Sequence, residues 1–335
     1  MQLVRFVPSL SVLLLLGSPD GAEAGAHGRP ADIEFRRLSL EAGLSQSSVY
    51  CIHQDHAGYL WFGTADGLNR IDGYGFTVYR RKANNSTSLS DNTSSAICED
   101  SLGHFWLGTM AQSLNRLDPL RGRVTRFEVG SERSGALRDG RVRALATDRF
   151  GRVWVGTQGG GVHVVDPPTG SVAVYTHEED TSRSLPHNTV RSVLPDEAGL
   201  WIGTDGGGLC RLLWKDSTVA KGSLLNARDL GIASSALRRI HKLYRDRERN
   251  LWVGRVDEGA TRIAFHSTAR VSIAQFLSRG ANPTSITGDI VQAFGEDELG
   301  ALGIGTWGRV IVTSRPGSTS SGPRRGRVNP IPKVS

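Results

Sequence analysis

A single phrase, written over and over, limits what this chain can fold into. "YLWFGTADGLNRID" begins at Tyr59 and returns as "FWLGTMAQSLNRLD" from Phe105, "VWVGTQGGGVHVVD" from Val153 and "LWIGTDGGGLCRL" from Leu200. Aligned on their tryptophans, the copies place Trp61, Trp106, Trp154, Trp201 and Trp252 at intervals of 45 to 51 residues. A sixth copy, "ELGALGIGTWGRVIV", carries Gly303 where the Trp belongs. A unit of this length cannot bury its own apolar face, so repetition at this period means neighbours stacked on a shared core.

Each copy has the same internal grammar. An alternating apolar run such as "VRALATD" leads to an acidic residue and a Gly three apart, as in Asp55/Gly58, Asp100/Gly103, Asp148/Gly151 and Asp196/Gly199. That pair is turn chemistry: the carboxylate accepts from nearby backbone N–H groups and Gly tolerates positive φ. A second strand, "LWFGT" or its equivalent, follows, then a third, "LNRID" or "VHVVD", and a fourth ending in an aromatic, "FTVYRR" or "SVAVYTH". Four strands per unit of about 45 residues is the pattern of a propeller blade. The 41 glycines of the 335 residues suit such a chain of short strands and tight turns.

The expected fold is therefore an all-β propeller of four-stranded antiparallel blades, about six of them. The propeller spans 32–313, with blade cores near 49–82, 95–129, 141–176, 189–214, 239–277 and 289–313. The sixth copy runs out without a fourth strand, and Phe35 of "IEFRRLS" occupies the fourth-strand aromatic position with no blade before it. Residues 32–38 are thus expected to close the ring as the outer strand of the last blade, which would leave no edge unpaired. An incomplete seven-bladed ring would read in much the same way.

The two ends differ from the body. "MQLVR", the apolar "FVPSLSVLLLLG" and the small residues Ala22 to Ala24 have the layout of a secretory signal peptide over 1–24, with an uncleaved anchor as the alternative. Residues 314–335 are rich in Ser, Gly, Pro and Arg and read as a disordered tail. The formal charge of +7 is spread as single arginines with denser patches at "LRRIHKLYRDRER" and "RRGRV", without the stacking aromatics of a single-strand binder, so no nucleic-acid partner is expected. Cys51, Cys98 and Cys210 lack metal-type spacing; for Cys51 and Cys98, in apolar strand-like runs, a small buried hydrophobe is the expected role, with a Cys51–Cys98 bridge as the alternative.

The recurrent residues are expected to be scaffold. Trp61, Trp106, Trp154, Trp201 and Trp252 read as packing between blades, and the Gly-Thr pairs as close backbone approach with a hydroxyl tie. One carboxylate per blade is a poor multidentate site, so no metal and no cofactor is expected. The glycine runs at Gly159–Gly161 and Gly206–Gly208 lack the following helix of a phosphate cradle, and no HExxH or G-x-S-x-G string occurs. An enzyme is not expected. Function belongs where the copies differ, on loops carried by the rigid scaffold. The second-to-third and fourth-to-first connections should share one face, and the candidate ligand-binding residues there are Asp66, Gln112, Gln158, Asp205, Arg255 and Trp307. Their chemistry suits a small polar ligand or glycan fragment, with Trp307 as a stacking platform.

The run "GLSQSSVYCIHQDHAGYLWFGTADGLNRIDGYGFTVYR" resembles the two-component regulator propeller repeat of bacterial sensor proteins. The resemblance covers roughly 32–313 and rests on the core D-x-x-G-x-[LIV]-W-[FLVI]-G-T. "DTSRSLPHNTVRSV" and "NPTSITGDIV" resemble the family's linker ahead of each blade. It implies an exported input domain, in the family commonly followed by a membrane helix and a histidine kinase or diguanylate cyclase; no such output string occurs here. The expectation is a non-catalytic periplasmic sensor domain that binds a small polar ligand and passes its occupancy to a membrane-linked signalling protein, kinase or cyclase, in a phosphorelay or cyclic-di-GMP system. The alternatives are a protein-interaction scaffold, a truncated fragment of such a sensor, and a polysaccharide-active propeller enzyme.

Overall fold

The computed structural model describes residues 38–73, 75–111, 113–130, 136–179, 183–215, 218–232, 237–267, 270–278, 285–286, 288–297, 300–306 and 309–312. Among them lie six antiparallel sheets met in chain order. Blade 1 holds β1 (Val49–Gln54), β2 (Leu60–Thr64), β3 (Gly67–Ile71) and β4 (Phe76–Tyr79). Blade 2 holds β5 (Ser94–Glu99), β6 (Phe105–Thr109), β7 (Leu114–Asp118) and β8 (Arg123–Phe127). Blade 3 holds β9 (Val142–Thr147), β10 (Val153–Thr157), β11 (Val162–Val165) and β12 (Val172–Tyr175). Blade 4 holds β13 (Val190–Pro195), β14 (Gly199–Thr204), β15 (Leu209–Lys215) and β16 (Thr218–Asn226). Blade 5 holds β17 (Ile240–Arg245), β18 (Leu251–Arg255), β19 (Ala260–Ser267) and β20 (Arg270–Phe276). Blade 6 is three-stranded among the described residues: β21 (Val291–Glu296), β22 (Leu302–Thr306) and β23 (Arg309–Val312). The first strand of each blade packs on the first strand of the next, from β1 on β5 through to β17 on β21, as in a propeller. The blade-4 core expected near 189–214 is too short, because β16 carries it to Asn226. That strand has no closing aromatic to mark it in the sequence. The expected signal peptide, the closing segment at 32–37 and the tail at 314–335 lie outside the described residues.

Two of the repeat's residues turn out to act as one. In blade 1 the Asp55 carboxylate accepts at Oδ1 from the backbone N–H of Ala57 (3.0 Å) and Tyr59 (2.8 Å), and at Oδ2 from the Trp61 indole Nε1 (2.8 Å). The same indole-to-carboxylate bond recurs at Trp106–Asp100 (2.8 Å), Trp154–Asp148 (2.7 Å), Trp201–Asp196 (2.9 Å) and Trp252–Asp246 (2.7 Å). The turn aspartate therefore orients the packing tryptophan and satisfies its only donor, which a buried indole requires. Gly58, Gly103 and Gly151 take positive φ in these turns (91°, 78° and 79°), and Arg249 does so in blade 5 at 67°. Blade 4 is one residue shorter here, so Gly199 falls inside β14, where a Cβ would meet the Leu212 carbonyl at 2.2 Å.

Each tryptophan sits in the seam to the following blade. Trp61 clusters with Phe105 and Leu107 of blade 2, and Trp106 with Val142, Val153 and Val155 of blade 3. Trp154 packs with Val190, Val193 and Ile202 of blade 4, Trp201 with Ile240, Leu243 and Val253 of blade 5, and Trp252 with Val291, Phe294 and Ile304 of blade 6. The Gly after each Trp is a notch for the next blade. A Cβ on Gly108 would lie 2.4 Å from Val142, on Gly156 2.8 Å from Val190, on Gly203 2.5 Å from Ile240 and on Gly254 2.7 Å from Val291. The following Thr ties the β2–β3 type hairpin: its hydroxyl donates to the carbonyl of Gly67, Ser113, Gly161 or Gly208 in blades 1 to 4.

The sixth seam differs. Among the described residues, a Cβ on Gly305 of blade 6 would meet Ala293 of its own blade, at 3.3 Å or more, and no residue of blade 1. Val49, the blade-1 residue equivalent to Val142, Val190, Ile240 and Val291, is 38% exposed while those four are fully buried. Blade 6 is also the blade with Gly303 in the Trp slot. Among the described residues a branched knob thus fills the notch at four seams, and at the first seam a Cβ on Gly63 would lie 2.8 Å from the Ser94 carbonyl. A direct contrast follows: Val190→Asp, placing an unpaired carboxylate in the Gly156 notch, should cost more than about 3 kcal/mol, whereas Val49→Asp should cost less than about 0.5 kcal/mol. Urea titration of both variants measures this, and equal losses would show that Val49 is seated as the others are.

The three thiols are free. Cys98 and Cys210 are buried, and Cys51 donates weakly to the Ser94 carbonyl at 3.7 Å. Burial pushes Cys51 and Cys98 up to about 12, so they are inert packing groups rather than nucleophiles.

Candidate functional site at the mouth of blades 3 to 5

One repeated backbone bond builds the site. The residue after the Thr donates its N–H to the carbonyl two residues ahead of the same blade's second inner-strand residue: Ala65 to Ser48, Met110 to Thr93, Gln158 to Arg141, Asp205 to Thr189 and Val256 to Arg239. Each blade therefore sets one loop residue beside the second residue of its innermost strand. Across blades 1 to 5 those strand residues are Tyr50, Ser95, Arg143, Arg191 and His241, and in blade 6 Gln292. The turn glycines bond outward to the connection leading into the next blade, Gly67 to Asn92, Gly161 to Asn188, Gly206 to Arg238 and Gly259 to Asp289. The two kinds of connection thus share one face, as the repeat grammar implies.

On blades 3 to 5 this geometry gathers charge. Arg143 donates to Gln158 Oε1, and its Nη1 lies 3.1 Å from Met110 Sδ. Arg191 pairs with Asp205 at 2.6 Å, and the other Asp205 oxygen takes Arg239 Nε at 3.1 Å. Arg239 also reaches Asp257 at 3.0 Å, and Arg141 pairs with Asp139 at 3.2 Å. The Thr189 hydroxyl donates to the Gln158 carbonyl, joining the two blades. Burial opposes ionisation of Asp205, but the hydrogen bonds and charges of Arg191 and Arg239 outweigh it and hold the carboxyl below its ordinary range. His241 is lowered to about 4, first by burial and then by Arg191 and Lys242, so it is neutral at neutral pH. Lys242 beside it is also lowered by burial. Next to this cluster a cleft of about 670 Å³ opens between blades 2 and 3, lined by Ser90, Arg126, Glu128, Arg138, Asp139 and Arg141 among others.

Of the residues chosen from sequence, Gln158 and Asp205 lie side by side in this cluster. Asp66 is on the same face at blade 1, bound to Arg80 at 3.1 Å and Asn92 at 3.2 Å. Arg255 is 2% exposed and replaces the Thr hairpin tie, its guanidinium donating to the Glu258 carbonyl and carboxylate. Gln112 and Trp307 lie outside the described residues. Sequence reasoning missed Arg143, Arg191 and His241. A column through the second residue of each inner strand would have exposed them, because that column varies while the residue ahead of it is Val or Ile in every blade but the second.

Another histidine has a structural task. In blades 1 and 2 the second residue of the third strand or its equivalent is a buried Asn that holds the incoming connection: Asn69 accepts from Ser45 N–H (2.9 Å) and Asn115 from Ser90 N–H (3.0 Å). In blade 3 this position is His163, whose Nε2 accepts from Arg138 N–H at 3.0 Å. Burial, with Arg138 nearby, lowers it to about 4.

These features define a β-propeller whose repeated residues are occupied in its seams and whose variable residues converge on one mouth. The family described as two component regulator propeller matches residues 43–66, 88–111, 136–159 and 184–206, so the chain carries repeats of that kind. A histidine kinase of Formosa agariphila, "Histidine kinase P4", is 52% identical over 56 residues, which are 17% of this chain and 4% of that protein. Among solved structures, the extracellular domain of a hybrid two component system from B. thetaiotaomicron is similar with TM-score 0.55 and 22% identity, over 84% of this chain and 42% of that one. PorZ of Porphyromonas gingivalis, a surface component of the type-IX secretion system, gives 0.58 at 17% identity over 76% and 37%. Virginiamycin B lyase from Staphylococcus aureus gives 0.54 at 14% identity over 82% and 87%. At these identities the structural likenesses establish the fold. The chain spans less than half the length of the first two relatives. No helix of the described residues is long and apolar enough to cross a membrane.

Proposed function

We propose that the chain is the exported, periplasmic sensory input part of a two-component or cyclic-di-GMP signalling protein. It binds a small polar ligand at the mouth of blades 3 to 5 and passes the occupancy to a membrane-linked kinase or cyclase, without catalysis of its own. One observation carries this reading. The recurrent Trp, Asp, Gly and Thr are all engaged in seams and turns, while the divergent positions Arg143, Gln158, Arg191, Asp205 and His241 converge on one face. Polar groups converging on a rigid ring are a recognition surface. The family match to sensor propellers and the extracellular sensor domain among the similar structures support it.

A thermal-shift screen of neutral sugars, sugar acids and amino acids tests the reading, since a ligand that binds only the folded state raises the melting temperature with its concentration. A hit is expected whose affinity changes at least tenfold in Asp205→Ala or Gln158→Ala and is unchanged in Asp66→Ala. If no compound shifts the melt, or the hit ignores both mouth variants, the mouth is not the sensory site.

A further inference from the structure

The charges at the mouth do not balance around Arg143. Arg141, Arg191 and Arg239 each have a carboxylate partner in Asp139, Asp205 or Asp257. Arg143 has none within ion-pair distance among the described residues; its guanidinium is held by the uncharged Gln158 and Met110. It is half-buried, and the charges of Arg191 and Arg141 oppose its own, with a smaller favourable one from Asp139. Lys242 likewise has no carboxylate partner among the described residues, and the buried Nδ1 of His241 has no hydrogen-bond partner. An arrangement that presses like charges together and leaves a buried imidazole nitrogen without a partner is unfavourable for the empty protein. It becomes favourable when a negative group enters and balances the cations.

We infer that the mouth of blades 3 to 5 binds an oxyanion, with the Arg143 and Arg191 guanidinium groups as its principal grip and Gln158 and His241 as neighbouring polar contacts. A guanidinium presents paired N–H donors that match two oxygens of a carboxylate, sulfate or phosphate group. Low-dielectric walls around cations of one sign also concentrate anions from solution. This rests on the sensory reading above and narrows it: the small polar ligand carries a carboxylate, sulfate ester or phosphate ester. Asp205 then has a defined part. It occupies one side of Arg191, positions it, and excludes weakly held anions.

The experiment uses inorganic sulfate and phosphate as probes at matched ionic strength against chloride, followed by galacturonate, galactose 6-sulfate and glucose 6-phosphate against neutral galactose. Melting temperature and calorimetry are read for the full chain. The oxyanions are expected to raise the melting temperature and galactose is not, with the effect falling as salt is added. The three sugar derivatives identify which oxyanion source is preferred. Arg143→Gln should weaken oxyanion binding at least tenfold, while melting at or above the temperature of the unliganded parent because the crowding is relieved. Asp205→Ala should strengthen it. A purely structural Arg143 would instead give a lower melting temperature and an unchanged anion response, which overturns the proposal. If galactose binds and its affinity changes in Asp205→Ala while Arg143→Gln leaves the anion response intact, the anion inference fails and the sensory mouth stands. If nothing binds, both fail.

Discussion

Trp154→Ala should lower stability by about 4 kcal/mol or more, the upper part of the range for removing a large buried aromatic. The side chain is fully buried and lies in the cluster that joins blades 3 and 4, with Trp214 at 5.5 Å and Tyr175 at 6.1 Å. Cavity formation is only part of the loss. Its indole donates to Asp148 Oδ2, a carboxylate whose side chain is wholly shielded from water and which otherwise relies on Arg152 and the turn N–H groups of Phe150 and Arg152. Deleting the indole opens the seam and removes one of the bonds that solvate this buried charge. Trp154→Phe separates the two effects. It keeps most of the apolar volume but deletes the donor, and should cost about 2 kcal/mol, the range for a hydrogen bond to a charged group. Urea titrations of the two variants, compared at constant m, give both numbers. If Phe is as damaging as Ala, the bond to Asp148 dominates; if Phe is neutral, the turn Asp and the seam Trp are independent and the unit described here does not exist.

The same residues show how far the sequence can be read. The period and the position of each Trp are enough to place a seam at every copy, because stacking is the only way such units can bury their apolar faces. The turn role of Asp55 and its equivalents is also legible, from Asp and Gly three apart. Their bond to the indole is not, since it depends on the Trp returning over the turn from the next strand, a distance no spacing rule encodes. At the mouth, Gln158 and Asp205 stand out because they follow the Gly-Thr pair. Arg143 and Arg191 hide within runs that read as ordinary alternating strands. Arg255 misleads for the opposite reason: a charged residue in place of Thr looks like surface chemistry, yet its guanidinium performs the hairpin tie from inside. Blade 4 loses its end because β16 has no aromatic to announce it.

Acidification from pH 7 to pH 5 should destabilise the protein: His53, lowered by burial against the pull of Glu99, acts in this direction, and two histidines with large shifts act with it. His163 and His241 are both lowered to about 4 from an ordinary value near 6.5, chiefly by burial and then by neighbouring cations. As pH falls through 6.5 the unfolded chain takes up protons at these positions while the folded protein does not. The unfolded state therefore binds more protons throughout the window from 6.5 to about 4, and stability declines across it; above 6.5 neither form is protonated and the slope vanishes. Each site can contribute up to about 1.4 kcal/mol per pH unit within the window. The carboxyls of Asp139, Asp196 and Asp205 do not compete for this interval, because they are held below their ordinary range and lose their contribution only under more acidic conditions. His56 has the opposite sign, being raised by its bond to Glu99, but it is exposed and its effect is lost as pH rises rather than falls. The blade itself supplies the informative variant. His163→Asn installs the residue that blades 1 and 2 use to hold the same connection, so it should preserve stability at pH 7 and flatten the dependence by nearly one proton. His241→Gln should remove the second proton. Unfolding midpoints in urea at pH 7, 6 and 5 measure both slopes, and a parent protein equally stable at all three would mean that these imidazoles stay accessible to protons in the folded state.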